Sequence, residues 1–276
     1  IAKKEDIPSF HADVIVDAIL GSGLNKLVSD SLLVDLFKVI NKSKSFIFSV
    51  DIPSGLFAEM PMPEGSSAVQ ADFVFTFQFP KLAYLFPESY EFVGEWEVGN
   101  IGLHPDFIQK IETPFYYIEE TEIQSIIRPR NKFSHKGNYG HALLIAGSKG
   151  MMGAAILASR ACLRSGAGIV EVYVPECGYS ILQTAVPEAL CLCDSHNEYF
   201  TTISFDKIAK ANAIAIGPGI GTNPETQNGL KNLIYNLKQP LIIDADAINI
   251  IAENKTWLEY LPENSIFTPH PKEFER

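Results

Sequence analysis

The sequence is short of the features that mark disulfide-stapled, membrane-spanning and nucleic-acid-binding proteins. Its 276 residues include 4 cysteines, Cys162, Cys177, Cys191 and Cys193, and no CxxC pair. That is too few for a disulfide scaffold and the wrong spacing for a structural zinc site, so the thiols are expected to stay reduced and to serve packing. No apolar run reaches the roughly 18 residues a membrane-spanning helix needs, and the opening IAKKEDIPSF has no signal-peptide pattern. Lys and Arg number 22 against 33 Asp and Glu, for a net charge of -11 and a pI near 5.0. Grip on nucleic-acid phosphates or anionic lipid needs clustered basic residues, so neither partner is expected and small molecules are. The chain reads as cytoplasmic. HExxH, GxSxG and Walker A motifs are absent, which disfavours zinc peptidases, serine hydrolases and P-loop nucleotidases.

What the chain does have is 46% hydrophobic residues, enough for a sizeable core. Apolar runs recur as VIVDAIL, FIFSV, FVFTF, ALLIAG, IVEVYV, AIAIG, PLIIDA and SIFTP, each followed by Gly, Pro or Asp. Between runs, residues 29–41 (SDSLLVDLFKVIN) and 152–166 (MGAAILASRACLRSG) carry apolar residues at helical spacing. Continuous apolar strands alternating with helices imply an α/β class with mainly parallel sheets covered on both faces. Between the strand-like PFYYIE and the basic stretch RPRNKFSHKGNYG the composition breaks, and the strand and Gly-loop pattern then starts afresh. This predicts two domains, 1–122 and 123–276. The chain opens without Met and stops in KEFER, so it reads as a piece of a longer protein.

In the first segment, VIVDAILGSGLNK sets Asp17 inside a strand and Gly21, Ser22 and Gly23 at its carboxyl end. That edge of a parallel sheet is where ligands bind, and glycines there either let an anion approach backbone N–H groups or serve a plain tight turn. An ionised Asp17 in an apolar strand must find backbone donors, a cation or a proton. The next strand, FIFSVDIPSG, also ends on an Asp, so adjacent strands would gather Asp17, Asp51 and Ser54 at one edge. Two carboxylates and a hydroxyl can hold a monovalent cation while one carboxylate transfers protons. Asp51 could equally cap the Pro-Ser-Gly turn.

In the second segment, Gly153, Ala154 and Ala155 open a helix behind a Gly-rich turn, where small residues admit either a ligand or a packed neighbour. AIAIGPGIGT presents glycines around Pro218, and LIIDADAINI puts Asp244 and Asp246 after a strand, where they could cap a helix beginning at Ala247. His270 stands between Pro269 and Pro271, which stiffen its backbone.

VDAILGSGL, VDIPSGL, ADFVFTFQFPKLAYLF and GEWEVGNIGL, in that order, resemble the carboxyl half of the epimerase domain of NAD(P)H-hydrate repair enzymes. HKGNYG, AGS, GAA, RSGAG, GPGIG, DADAIN and TPHPKEF resemble the ADP/ATP-dependent NAD(P)H-hydrate dehydratase domain. The resemblance implies a Rossmann-like epimerase half-domain followed by a ribokinase-like α/β domain. It implies Asp51 as the acid/base and substrate-binding residue, and Asp17 and Ser54 as potassium ligands. Substrate contacts carry over onto Gly21, Ser22, Gly23, Leu24, Asn25 and Lys26, and onto Ala154, Gly219 and His270. The implied cofactors are potassium, ADP or ATP as phosphate donor, and Mg2+; the implied partners are hydrated NADH or NADPH and a second copy of the chain in a homo-oligomer. The family's Asn- and Gly-rich loop would lie upstream of residue 1, and its nucleotide-binding segment and Gly-Asp motif beyond Arg276. This chain alone is therefore not expected to dehydrate anything, and apolar surface is expected where such elements would pack. A sugar or vitamin kinase of the ribokinase class and a non-catalytic nucleotide-binding module are the rival readings.

Overall fold

In the computed structural model, which describes residues 3–127 and 129–276, the chain divides into two compact units, the first ending at Ile127. The first unit holds β1 (Val14–Asp17), β2 (Phe46–Val50), β3 (Ala71–Phe77) and β4 (Val93–Gly99), paired in chain order and all parallel. Between β1 and β2 runs α1 (Ser31–Asn41), started by Asp30, whose side chain accepts from the N–H groups of Leu32 (2.8 Å) and Leu33 (3.3 Å). Phe37 and Ile40 of α1 join Ile15, Ile47 and Val74 in one core, which the loop residues Ile52, Leu56, Met62 and Val69 complete. Two short helices, α2 (Pro105–Lys110) and α3 (Glu120–Ile126), bury nothing.

The core residues Ile15, Ile47 and Val74 of β1, β2 and β3 lie on one face of the sheet. Register places Val14 beside Phe46, and Val16 beside Phe48 and then Phe73, on the other. There Val14, Val16 and Phe46 are 51%, 64% and 49% exposed, and Phe48 stacks on Phe73 at 5.6 Å between ring centres. Parallel sheets are ordinarily covered on both faces. Among the described residues of this unit none forms a layer over the β1 and β2 part of this one, whereas Ala71 and Val93, paired on the same side, are buried.

The second unit is a six-stranded parallel sheet of β5 (His141–Ile145), β6 (Ile169–Val174), β7 (Leu190–Cys193), β8 (Ala213–Ile216), β9 (Leu241–Ile243) and β10 (Ile266–Phe267), in the order β10-β9-β8-β5-β6-β7. Its helices are α4 (Met152–Arg164), α5 (Tyr179–Ala185), α6 (Phe205–Ile208), α7 (Pro224–Asn236), α8 (Ala245–Glu253) and α9 (Pro271–Phe274). One core joins Leu144, Val170 and Val172 to Ala155 and Leu182 of α4 and α5; the other joins Leu143, Ile145, Ile214 and Leu241 to α7 and α8. The chain builds outward from β5 through β6 and β7, then returns to the opposite side of β5 for β8. The order therefore reverses between β5 and β8, the place where open α/β sheets bind ligands.

Three readings of the sequence need correction. PFYYIE is no strand: Phe115 and Tyr116 are 61% and 84% exposed, and an apolar composition does not by itself provide a ladder partner. VIVDAIL stops being a strand at Asp17, because Leu20 turns away to bond Ser54. The strands β4 and β7 were not foreseen; β4 interrupts its apolar run with Glu95 and Glu97 on the open face, and β7 is only four residues long. The four thiols are free, and burial pushes those of Cys162, Cys177 and Cys191 up, the last to about 12. Among the described residues no helix is long and apolar enough to cross a membrane.

If the β1 face is open, replacing Val14 and Val16 together with Thr should shift the thermal midpoint by only a few degrees and should cut the fluorescence of a bound apolar dye. A loss of stability on the scale of a core truncation would show instead that the face is packed.

Candidate active sites

The carboxyl edge of the first sheet is organised by two aspartates facing different neighbours. Asp17 closes β1, and it is 1% exposed. Its Oδ2 accepts from the Ser49 hydroxyl (2.8 Å) and the Ser54 N–H (2.8 Å), and its Oδ1 from the Ser54 hydroxyl (2.6 Å) and the Ile19 N–H (3.4 Å). Three of these four donors come from β2 and the turn after it, more than thirty residues away in sequence. The carboxylate thus ties the edge strand to the Pro-Ser-Gly turn. That turn requires its glycine: Gly55 has φ +97, and a Cβ there would lie 2.7 Å from the Ser67 carbonyl oxygen.

The Ser54 hydroxyl also accepts from the Leu20 N–H (2.8 Å) and lies 3.3 Å from the Leu20 carbonyl oxygen. Asp17 Oδ1, Ser54 Oγ and Leu20 O therefore cluster as hard oxygen donors with a single negative charge, a set whose chemistry fits an alkali cation such as potassium. From Gly21 to Lys26 the chain forms an irregular loop, exposed except at the half-buried Leu24. A Cβ at Gly21 or Gly23 would meet nothing within 4 Å, so packing within the fold requires neither glycine.

Asp51 follows β2 with φ +65, a left-handed conformation that is strained for a residue with a Cβ. It does not cap the Pro-Ser-Gly turn. Its Oδ1 accepts from the Phe77 N–H (3.0 Å), from Lys81 Nζ (2.7 Å) and, at 3.4 Å, from the Thr76 hydroxyl, all on or just after β3. Among the described residues its Oδ2 accepts nothing. The Tyr84 hydroxyl donates to the Asp51 carbonyl, and burial pushes the Tyr84 hydroxyl up, so it stays protonated and donating at neutral pH. Asp17 and Ser54 are thus in contact, while Asp51 shares their edge but is held from the β3 side.

In the second unit the corresponding edge carries the other expected contacts. Ala154 lies in the first turn of α4, and Gly219 follows β8, so both sit at the reversal of strand order. They touch: a Cβ on Gly219, whose φ is +66, would come within 2.9 Å of both the Ala154 Cβ and the Met151 carbonyl oxygen. Gly219 is held there by its carbonyl, which accepts from the Ser148 hydroxyl (2.8 Å). His270 follows β10 at the sheet edge with its side chain 60% exposed, 3.2 Å from Glu273. Asp244 is the N-cap residue of α8, but its side chain makes no capping bond, and Asp246 lies inside the first turn. Asp244 accepts from the Thr268 hydroxyl (2.9 Å) and Asp246 from the Gly221 N–H (2.9 Å), so each stitches neighbouring loops, and the helix starts at Ala245.

A family model described as NAD(P)H-hydrate dehydratase matches residues 142–276, and one described as YjeF-related protein N-terminus matches residues 1–83. The bifunctional NAD(P)H-hydrate repair enzyme of Coxiella burnetii is 32% identical over 267 residues, 97% of this chain and 52% of that protein. The chain belongs to the NAD(P)H-hydrate repair family. The relative from Moorella thermoacetica is 31% identical over 280 residues, covering 99% of this chain and 52% of its own length. A solved structure of a hypothetic protein from Streptococcus mutans is 33% identical, with a TM-score of 0.50 over 58% of this chain and 56% of its own. The chain spans about half the length of the curated repair enzymes it matches.

Sequence reasoning did not single out Ser49, Thr76, Lys81, Tyr84 or Ser148. A signal did exist for two of them: Lys81 is the one charge in the apolar stretch FVFTFQFPKLAYLF, and Tyr84 follows three residues later. Ser54→Ala, which leaves the Leu20 N–H and Asp17 Oδ1 short of a partner, should cost about 1–3 kcal/mol in denaturant unfolding. By the same measurement Gly21→Ala should stay within about 0.5 kcal/mol of the parent. A large loss at Gly21 would mean that the fold itself needs that glycine.

Proposed function

We propose that the first unit carries the epimerase half, and the second the dehydratase half, of a repair activity on hydrated NADH and NADPH. The observation that carries the reading is Asp51. It stands at the carboxyl edge of a parallel sheet, anchored through Oδ1 alone, so that Oδ2 remains to take and return a proton. Inverting the hydroxyl-bearing carbon of a hydrated nicotinamide needs such an acid/base group. Asp51 would take the hydroxyl proton on Oδ2 as the ring C–N bond at that carbon opens to leave a carbonyl, and would return the proton when the nitrogen re-closes on the carbonyl's other face, while the open Gly21–Lys26 loop would receive the substrate phosphates. Asp17 and Ser54 would hold potassium, which would contribute a fixed positive charge beside the substrate.

In the second unit Ala154, Gly219 and His270 line the place where the hydrate would bind, with the closely packed Ala154 and Gly219 keeping the backbone accessible. Chemically, dehydration would transfer phosphate from ADP or ATP, with Mg2+ balancing the phosphate charge, to the hydrate's hydroxyl; departure of that phosphate, with loss of a proton from the neighbouring ring carbon, would then restore the double bond. The phosphate is the better leaving group, and that is the nucleotide's whole contribution.

The test is to supply the full-length natural protein with both epimers of NADH hydrate and either ADP or ATP, and to follow the return of reduced-nicotinamide absorbance. Both epimers should be recovered. Asp51→Asn should recover only one epimer at the parent rate and slow conversion of the other by 100-fold or more, on the order expected for an acid/base residue. Failure with both nucleotides would overturn the reading and favour a kinase of the same fold.

A further inference from the structure

Resting on the epimerase reading of the first unit, we infer that Lys81 is the positioning residue of that site: its ammonium fixes Asp51 through Oδ1 and leaves Oδ2 as the proton-transfer atom. Lys81 Nζ lies 2.7 Å from Asp51 Oδ1 and 3.4 Å from the Phe77 carbonyl oxygen, with the two paired side chains 17% and 19% exposed. An ion pair so far out of water gives little net stability, because desolvation of both charges offsets their attraction. Its presence at this edge therefore points to a use other than holding the fold.

The backbone is bent to deliver it. β3 ends at Phe77, and Gln78 then takes φ +62, the second left-handed residue with a side chain at this edge after Asp51. The Phe79 N–H donates to the Phe77 carbonyl (2.7 Å), and Pro80 leads into the short turn Leu82–Leu85. Lys81 precedes that turn and Tyr84 lies within it, and the Tyr84 N–H donates to the Lys81 carbonyl (3.0 Å). One turn thus presents two side chains to one residue, Lys81 to the carboxylate of Asp51 and Tyr84 to its carbonyl. Strained residues at two adjacent strand ends, Asp51 itself and Gln78 between its donors Phe77 and Lys81, frame a single carboxylate, which is the pattern of a pre-organised site. With Phe77 N–H and Lys81 Nζ both on Oδ1, the carboxylate cannot rotate about its Cβ–Cγ bond without breaking both bonds. Which oxygen faces away is decided by that pair of donors.

The experiment measures epimer interconversion in the full-length natural protein, with the parent and Asp51→Asn as bracketing controls. Lys81→Met, which keeps the length of the stem, should lower kcat by between roughly 10- and 100-fold, the scale of a misplaced catalytic group, with KM changed less than threefold. Added small alkylammonium ions should restore part of the rate of Lys81→Ala, which a purely structural lysine would not allow. Lys81→Arg, whose charge is kept, should retain more activity than Lys81→Met, and circular dichroism should confirm that all three are folded. An unchanged kcat in folded Lys81→Met, beside an inactive Asp51→Asn, would overturn the inference and leave the epimerase reading intact. A parent protein that does not interconvert the epimers would remove the epimerase reading itself.

Discussion

The buried carboxylate of Asp17 is the constraint on which the first unit's site depends. A charge that is 1% exposed must be met by donors, and here they are two serine hydroxyls and two backbone N–H groups. Meeting them forces β1 to end where it does, brings Leu20 against Ser54, and fixes the turn that follows β2. The irregular loop after Leu20 and the left-handed Asp51 before that turn are consequences of the same closure. A single buried acid therefore sets both the exposed Gly21–Lys26 loop and the position from which Asp51 reaches toward β3.

The second unit buries an acid too, Asp194 at 4% exposure just after the edge strand β7, but its candidate site closes elsewhere and by packing. There the strand order reverses between β5 and β8, and a gap in side-chain volume does the work: Gly219 packs on Ala154 and Met151 so closely that no Cβ fits. Gly217, with φ +133, is equally constrained, since a Cβ would fall 1.7 Å from the Asp244 carbonyl oxygen. Hydrogen bonds from the Ser148 hydroxyl to Gly219, from the Gly221 N–H to Asp246 and from the Thr268 hydroxyl to Asp244 then join the loops after β5, β8, β9 and β10 into one edge. The edge is rigid because its loops are cross-linked, and accessible because its residues are small.

The two sheets differ in how they are covered. Helices lie on both faces of the six-stranded sheet, which forms two separate cores. The four-stranded sheet has one core and an apolar face bearing Val14, Val16 and Phe46, where the aromatic rings of Phe48 and Phe73 pack on each other instead of on a second layer. The class of a strand as buried on both sides is thus legible in its composition, while the presence of the covering layer is not.

Much of the architecture follows from local pattern. Continuous apolar runs ended by Asp, Gly or Pro mark the strands β1, β2, β3, β5, β6, β8, β9 and β10, and helical spacing marks α1 and α4, because period and composition respond to burial residue by residue. The aspartates at strand ends and the glycines beside them were legible for the same reason: a charge or a missing side chain at the tip of an apolar run stands out in one dimension. The partners of those residues were not legible. Lys81 lies thirty residues from Asp51, Ser54 thirty-seven from Asp17, and Gly221 twenty-five from Asp246. Such pairs exist only once parallel strands bring distant turns to one edge. The sequence by itself determined which groups would need partners; tertiary structure decided which partners they received and which carboxylate oxygen was left over, because hydrogen bonding depends on direction and distance that no linear pattern records.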